Sequence, residues 1–159
     1  MKFILATIAL AGAGIANAQW VAGDIDGKEG VYAVTQNDDG EIFGRYCYFE
    51  DKTCVWLVTN PLRCEPGASY PALATSKDSA HVEVVCWGKS PTSNVYRYFV
   101  KPYDIVEGLV NDGGILGIAV VAKNGNFRVS RFDLNGSQRA IRESSTKFES
   151  RSKTRGQVL

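Results

Sequence analysis

The sequence predicts an all-β, mainly antiparallel domain: a disulfide-braced β-sandwich or barrel with one or two short helices. Three observations carry that expectation. Runs of aromatic and β-branched residues, such as 31–35, 42–49 and 53–59, are short and stop at Asn, Asp, Gly or Pro. Four cysteines, an even number, fall between residues 47 and 86. No long helical pattern alternates with the strands, which excludes a parallel α/β sheet.

The chain opens with Lys2, an apolar run from Phe3 to Ile15, and small residues at Ala16 and Ala18. That pattern is a secretory signal peptide over residues 1–18, cleaved after Ala18, because the run is too short to span a bilayer. The expected product is soluble, periplasmic or secreted, with no transmembrane segment after cleavage. Residues 19–141 are long enough for a single β-rich domain with its own core. Loss of Lys2 leaves seventeen basic and seventeen acidic residues. That balance gives no overall attraction to nucleic acid.

"DIDGKEG" at 24–30 places Asp24, Asp26 and Gly27 like the start of a calcium loop. Lys28 falls where another oxygen ligand is needed and no glutamate closes the loop, so the segment is expected to be a plain turn. "NDDG" at 37–40 is read the same way.

"GRYCYFEDKTCVWLV" at 44–58 has a polar interruption between two strand-like runs, the pattern of a hairpin. A loop over 49–52 sets Cys47 opposite Cys54, Arg45 opposite Trp56 and Phe43 opposite Val58. This favours a Cys47–Cys54 bridge and leaves Cys64 for Cys86, although four cysteines allow three connectivities. An exported protein meets an oxidising compartment, so two disulfides are expected. Zinc would need tighter Cys/His clusters, and His81 is the lone histidine. A redox pair would need C-x-x-C at a helix start.

"AHVEVVCW" alternates His81 and Glu83 against Val82, Val84 and Cys86, turning Cys86 inward. "VYRYFV" alternates likewise. Asn124-Gly125 predicts a type I′ turn joining two further strands. Short helices are expected from Asp104 and, with Ser137 as N-cap, over residues that turn Ala140 and Ile141 inward. Beyond them, residues 142–159 are basic and polar and read as a disordered tail, dispensable for folding, with weak salt-sensitive contact to anionic surfaces. Phe148 is the one residue there able to dock.

No catalytic, cofactor-binding or metal-ligating residue is assigned. His81 has no evident partner, Glu83 reads as a solvent-facing charge, and neither a phosphate-cradling glycine motif nor a nucleophile elbow occurs. The leading expectation is a non-enzymatic binding protein presenting Tyr46, Tyr48, Trp87, Tyr96 and Tyr98, with Trp56 and Tyr103, to an unidentified protein or envelope glycan. Core packing is expected to claim about half of these aromatics. An inhibitor of a secreted hydrolase is one alternative, and a small secreted hydrolase using acidic residues another.

The order of segments supplies a resemblance. "GRYCYFEDKTCVWLV", "NPLRCEPG", a strand bearing a later cysteine, and "YDIVEGLVNDGGILGIAVVAKNGNFRVSRFDLNGSQRAI" together resemble the invasion-associated locus B family of secreted bacterial proteins, over roughly residues 40–142. Cys47 and Cys54 match that family's first cysteine pair, Pro61-Leu62 and Pro66-Gly67 its middle segment, and Leu134 to Ala140 its close. Its later cysteines lie closer together than Cys64 and Cys86. The resemblance implies an exported, β-rich envelope protein that takes part in host interaction, with no catalytic residues to carry over.

Overall fold

A computed structural model of the chain describes residues 19–155. The expected signal peptide and the final four residues lie outside the described part. Nine strands run in chain order: β1 (Val21–Asp24), β2 (Gly30–Gln36), β3 (Ile42–Tyr48), β4 (Thr53–Asn60), β5 (Ser69–Thr75), β6 (Ser79–Lys89), β7 (Tyr96–Lys101), β8 (Ile115–Val121) and β9 (Phe127–Asp133). Two helices, α1 (Tyr103–Asp112) and α2 (Ser137–Arg155), accompany them among the described residues. "DIDGKEG" forms a single 3-10 turn over Asp26–Lys28.

All strand pairs are antiparallel, and the nine form one sheet in the order β1-β2-β3-β4-β7-β6-β5-β8-β9. Its two ends curl over to face each other as a sandwich. Phe43 of β3 meets Phe132 of β9 with ring centroids 5.4 Å apart, and Trp20 Nε1 donates to the Asp133 carbonyl at 2.8 Å. Across the same seam Arg128 of β9 reaches Glu41 at 2.7 Å. The inner face holds the core, because every second residue of each strand points inward. Tyr70, Ala72 and Ala74 of β5 are buried while Ser69, Pro71 and Leu73 are exposed. In β6, Val82, Val84 and Cys86 point in, against His81, Glu83 and Trp87.

The β3–β4 hairpin has the expected register: Cys47 faces Cys54, Arg45 faces Trp56 and Phe43 faces Val58. Both bridges form as expected, Cys47–Cys54 directly across that ladder and Cys64–Cys86 from the middle segment to β6.

The β8–β9 turn differs from expectation. Ala122 N–H donates to Asn126 O, Gly125 N–H donates back to Ala122 O, and Gly125 alone in the turn has positive φ, at 81°. That is a three-residue loop, a type I turn closed by a left-handed glycine, and Asn124 is spared the positive φ of a type I′ turn.

Helix α1 runs for ten residues and buries Val106, Leu109 and Val110. The larger correction is α2. Residues 142–155 are helical, so the boundary expected at 141 falls inside a nineteen-residue helix and the expected disordered tail is absent from the described residues. Ser137 begins the helix, buried and with its N–H on the Leu134 carbonyl, instead of preceding it as a cap.

The buried or half-buried side of α2 carries Ala140, Ile141, Ser144, Ser145, Phe148 and Arg151, spaced as one helix face. Arg45 Nη2 donates to the Ile141 carbonyl at 3.1 Å, to Ser144 Oγ at 3.2 Å and to Ser145 Oγ at 2.5 Å. Arg151 forms a two-point ion pair with Asp24 of β1, at 3.0 and 3.2 Å. A polar tail is ordered because the sheet offers it a buried guanidinium, which serine hydroxyls satisfy better than methyl groups.

Candidate functional site

The outward face of the β3–β4–β7–β6 region concentrates exposed aromatic surface. Strand register lines up Tyr32, Tyr46 and Val55 in one row, and Leu57, Phe99 and Val85 in the next. At the Cys86/Gly88 bulge the pairing shifts by one residue, and Gly88 takes φ 126°, which suits a residue without Cβ. The bulge delivers Trp87 to the surface, 41% exposed. Its ring stacks on Phe99 with centroids 5.0 Å apart, and the Arg97 guanidinium lies over it, 4.1 Å from its centre.

Beside this ridge the sheet has a notch. β7 pairs with β4 only as far as Trp56–Val100 and with β6 only as far as Glu83–Lys101, after which Pro102 turns the chain into α1. Thr53–Val55 of β4 and Ser79–Val82 of β6 therefore pair with β3 and β5 but, among the described residues, have no strand on their facing sides. A cavity of about 770 Å³ occupies this gap, with Val55 and Phe99 on the outer side and Trp56 and Tyr103 beneath. A second hollow, of about 600 Å³, shares Val55 and Phe99 and extends to Tyr48 and Trp87. Glu29, Glu50 and Asp51 rim it, with Lys28 as the single basic residue in its lining.

The polar groups here have definite partners. Glu83 accepts from the Ser69 hydroxyl and pairs with Lys101 at 3.5 Å, and both contacts, the hydroxyl first, hold its carboxyl below the usual range. His81 is exposed on the same face of β6. Tyr46, packed between Tyr32 and Tyr48, is pushed up to about 12, first by burial and then by its two tyrosine neighbours. Burial also raises Tyr48, against the opposing pull of Arg97. Among the described residues no group of three or more His, Cys, Asp or Glu side chains is placed to hold a metal ion.

The sequence-selected aromatics divide between the two faces. Tyr46, Tyr48 and Trp87 belong to the outer surface. Tyr98 does not: it is 1% exposed, inside the core, with its hydroxyl donating to the Leu62 carbonyl at 2.5 Å. Tyr96 packs against the core from the inner face, and Trp56 is buried there beside the half-buried Tyr103. Sequence reading missed Val55, Val85, Phe99 and Arg97. Phe99 alternates with the inward Tyr98 and Val100, so its outward direction follows from the strand period. The notch has no such signal, because it depends on β7 being shorter than strands that are distant in sequence.

Fold and bridges define the class: an antiparallel β protein with two disulfides, the chemistry of an oxidising, extracytoplasmic compartment. Among the described residues no helix is long and apolar enough to cross a membrane. No family model matches the chain and no curated protein does. Among solved structures it is similar to the crystal structure of invasion associated protein B from Bartonella henselae, at 15% identity and a TM-score of 0.59, over 84% of this chain and 96% of that one. At the level of fold this supports the resemblance seen in the order of sequence segments.

Proposed function

We propose that this protein is an exported bacterial binding protein without catalytic activity, whose working surface is the outer face of β3, β4, β7 and β6. The observation that carries the reading is the paired hollow around Val55 and Phe99, flanked by the exposed Trp87 and by Tyr48. Aromatic residues beside a concave, apolar surface are the usual anchors of macromolecular recognition. The likeness in fold to invasion associated protein B supports, as analogy only, a setting in which a bacterium meets its host.

Affinity capture with the oxidised protein, from envelope extract and from host-cell lysate, tests the reading. The expected result is a reproducible partner that the Trp87→Ala variant fails to retain. Turnover of a peptidoglycan, glycan or peptide substrate that is lost in Glu83→Gln or His81→Ala would replace this reading with an enzymatic one.

A further inference from the structure

The notch is bounded by two strand edges, and that boundary specifies an occupant. Adjacent strands lie about 4.8 Å apart, so strands flanking one missing strand are roughly 10 Å apart, the width of a single extended chain with hydrogen bonds on both sides. Thr53–Val55 and Ser79–Val82 each pair on one side alone, leaving the backbone donors and acceptors of alternate residues, Cys54 among them, directed across the gap. Unpaired edges of this kind are templates for strand addition.

Resting on the binding reading above, we propose that the notch receives an extended peptide segment of a partner protein, which enters the sheet as a prolongation of β7 and pairs with β4 and β6 together. Alternate side chains of that segment lie over the outer groove, where Val55, Val85 and Phe99 offer apolar contact. Charge selects among such segments. The adjoining rim presents Glu29, Glu50 and Asp51 against Lys28 and the Trp87-stacked Arg97, a net acidic balance, and at the other side Lys101 is already neutralised by Glu83. The rim therefore favours a segment that carries lysine or arginine between its apolar residues and disfavours an acidic one. The Cys47–Cys54 bridge fixes the β4 wall and the β5 ladder fixes the β6 wall, so the site needs little reordering to accept a strand.

The test uses the oxidised full-length protein and a displayed library of eight-residue peptides with valine fixed at alternate positions and the rest randomised. Enrichment of lysine and arginine at the random positions is expected. The best synthetic peptide should lose at least tenfold in affinity when its alternate backbone amides on the pairing edges are N-methylated. Hydrogen exchange should show new protection at Thr53–Val55 and Ser79–Val82. Val55→Lys, which changes only the groove, should weaken binding at least tenfold while the melting temperature holds.

No enrichment above background overturns the inference, as does protection confined to other strands. If N-methylated and unmodified peptides bind alike and both depend on Trp87, strand addition fails while the outer face stands as a binding surface. If peptide binding and exchange protection are as expected but the captured partner is retained by Trp87→Ala, strand addition stands and the Trp87-centred reading of the face fails.

Discussion

Phe148 of α2 stacks on Phe49, at the tip of the β3–β4 hairpin, with ring centroids 5.5 Å apart and planes 12° from parallel. Phe148 roofs a small second core of Val31, Cys47 and Phe49, separate from the main one. Residues 144–151 are therefore a packed part of the fold. Removing this aromatic side chain should cost about 2 kcal/mol, below the 3–5 of a fully buried Phe. Truncation after Glu143 removes in addition the Ser144 and Ser145 partners of Arg45 and the Arg151–Asp24 pair. Thermal unfolding should show Phe148→Ala melting several degrees lower and the truncated chain lower still. Unchanged melting in both would reduce α2 to an ornament.

The Glu41–Arg128 pair closes the sandwich seam. Glu41 is 1% exposed, and it also accepts from the Asn37 amide at 2.7 Å. Arg128→Met leaves a buried carboxylate without its cation, a loss of roughly 3 kcal/mol. Adding Glu41→Gln should restore part of that loss, since no charge then remains buried. Urea denaturation of both variants checks this: a double variant no more stable than Arg128→Met would show that the arginine acts through packing alone.

The two bridges should differ in weight. Cys47–Cys54 spans a sequence separation of 7 and Cys64–Cys86 one of 22. On loop entropy these correspond to roughly 2.5 and 3.5 kcal/mol, with the wider loop worth more. Replacing Cys64 and Cys86 together by alanine should lower the denaturation midpoint further than replacing Cys47 and Cys54, and thiol titration of the unreduced, unfolded wild type should find no reactive thiol.

Alkaline pH offers an independent probe of the outer face. Tyr46 is raised from an ordinary value near 10 to about 12, chiefly by burial. A raised value favours the protonated form in the folded state, so its contribution is complete below about pH 10 and disappears as pH climbs through 12. Two units correspond to at most roughly 2.7 kcal/mol. Tyr98, raised further still by burial and then by Tyr70 and Tyr96, adds to the same decline. Between pH 8 and 11.5 the wild type should lose more stability than Tyr46→Phe. Identical losses would mean that Tyr46 ionises freely.

The strands and their faces were legible in the sequence because period-two alternation survives in residues such as Val82, Val84 and Cys86, and the hairpin register followed from placing its loop at 49–52. Helix α2 was not legible, because its inward face uses Ser144 and Ser145 where apolar residues would have announced it, and their partner Arg45 lies about 100 residues earlier. Tyr98 was misassigned to the binding surface since Tyr residues serve both interface and core, and only the tertiary position of the Leu62 carbonyl decides between them. The aromatic ridge was half visible, through Tyr46, Tyr48 and Trp87. The notch was invisible, being a property of three strand lengths and their order.

The seam and α2 also set the order in which the chain can complete itself. Trp20 finds the Asp133 carbonyl 113 positions later, and Asp24 finds Arg151 127 positions later. β1 pairs locally with β2, but these two contacts need residues more than a hundred positions later, and contacts of such separation close slowly. Until residues 128–133 are available the seam stays open, and until residue 151 is available the Asp24 contact of α2 stays unmade. The seam is therefore the part of the fold that completes after the local hairpins, whichever of those forms first.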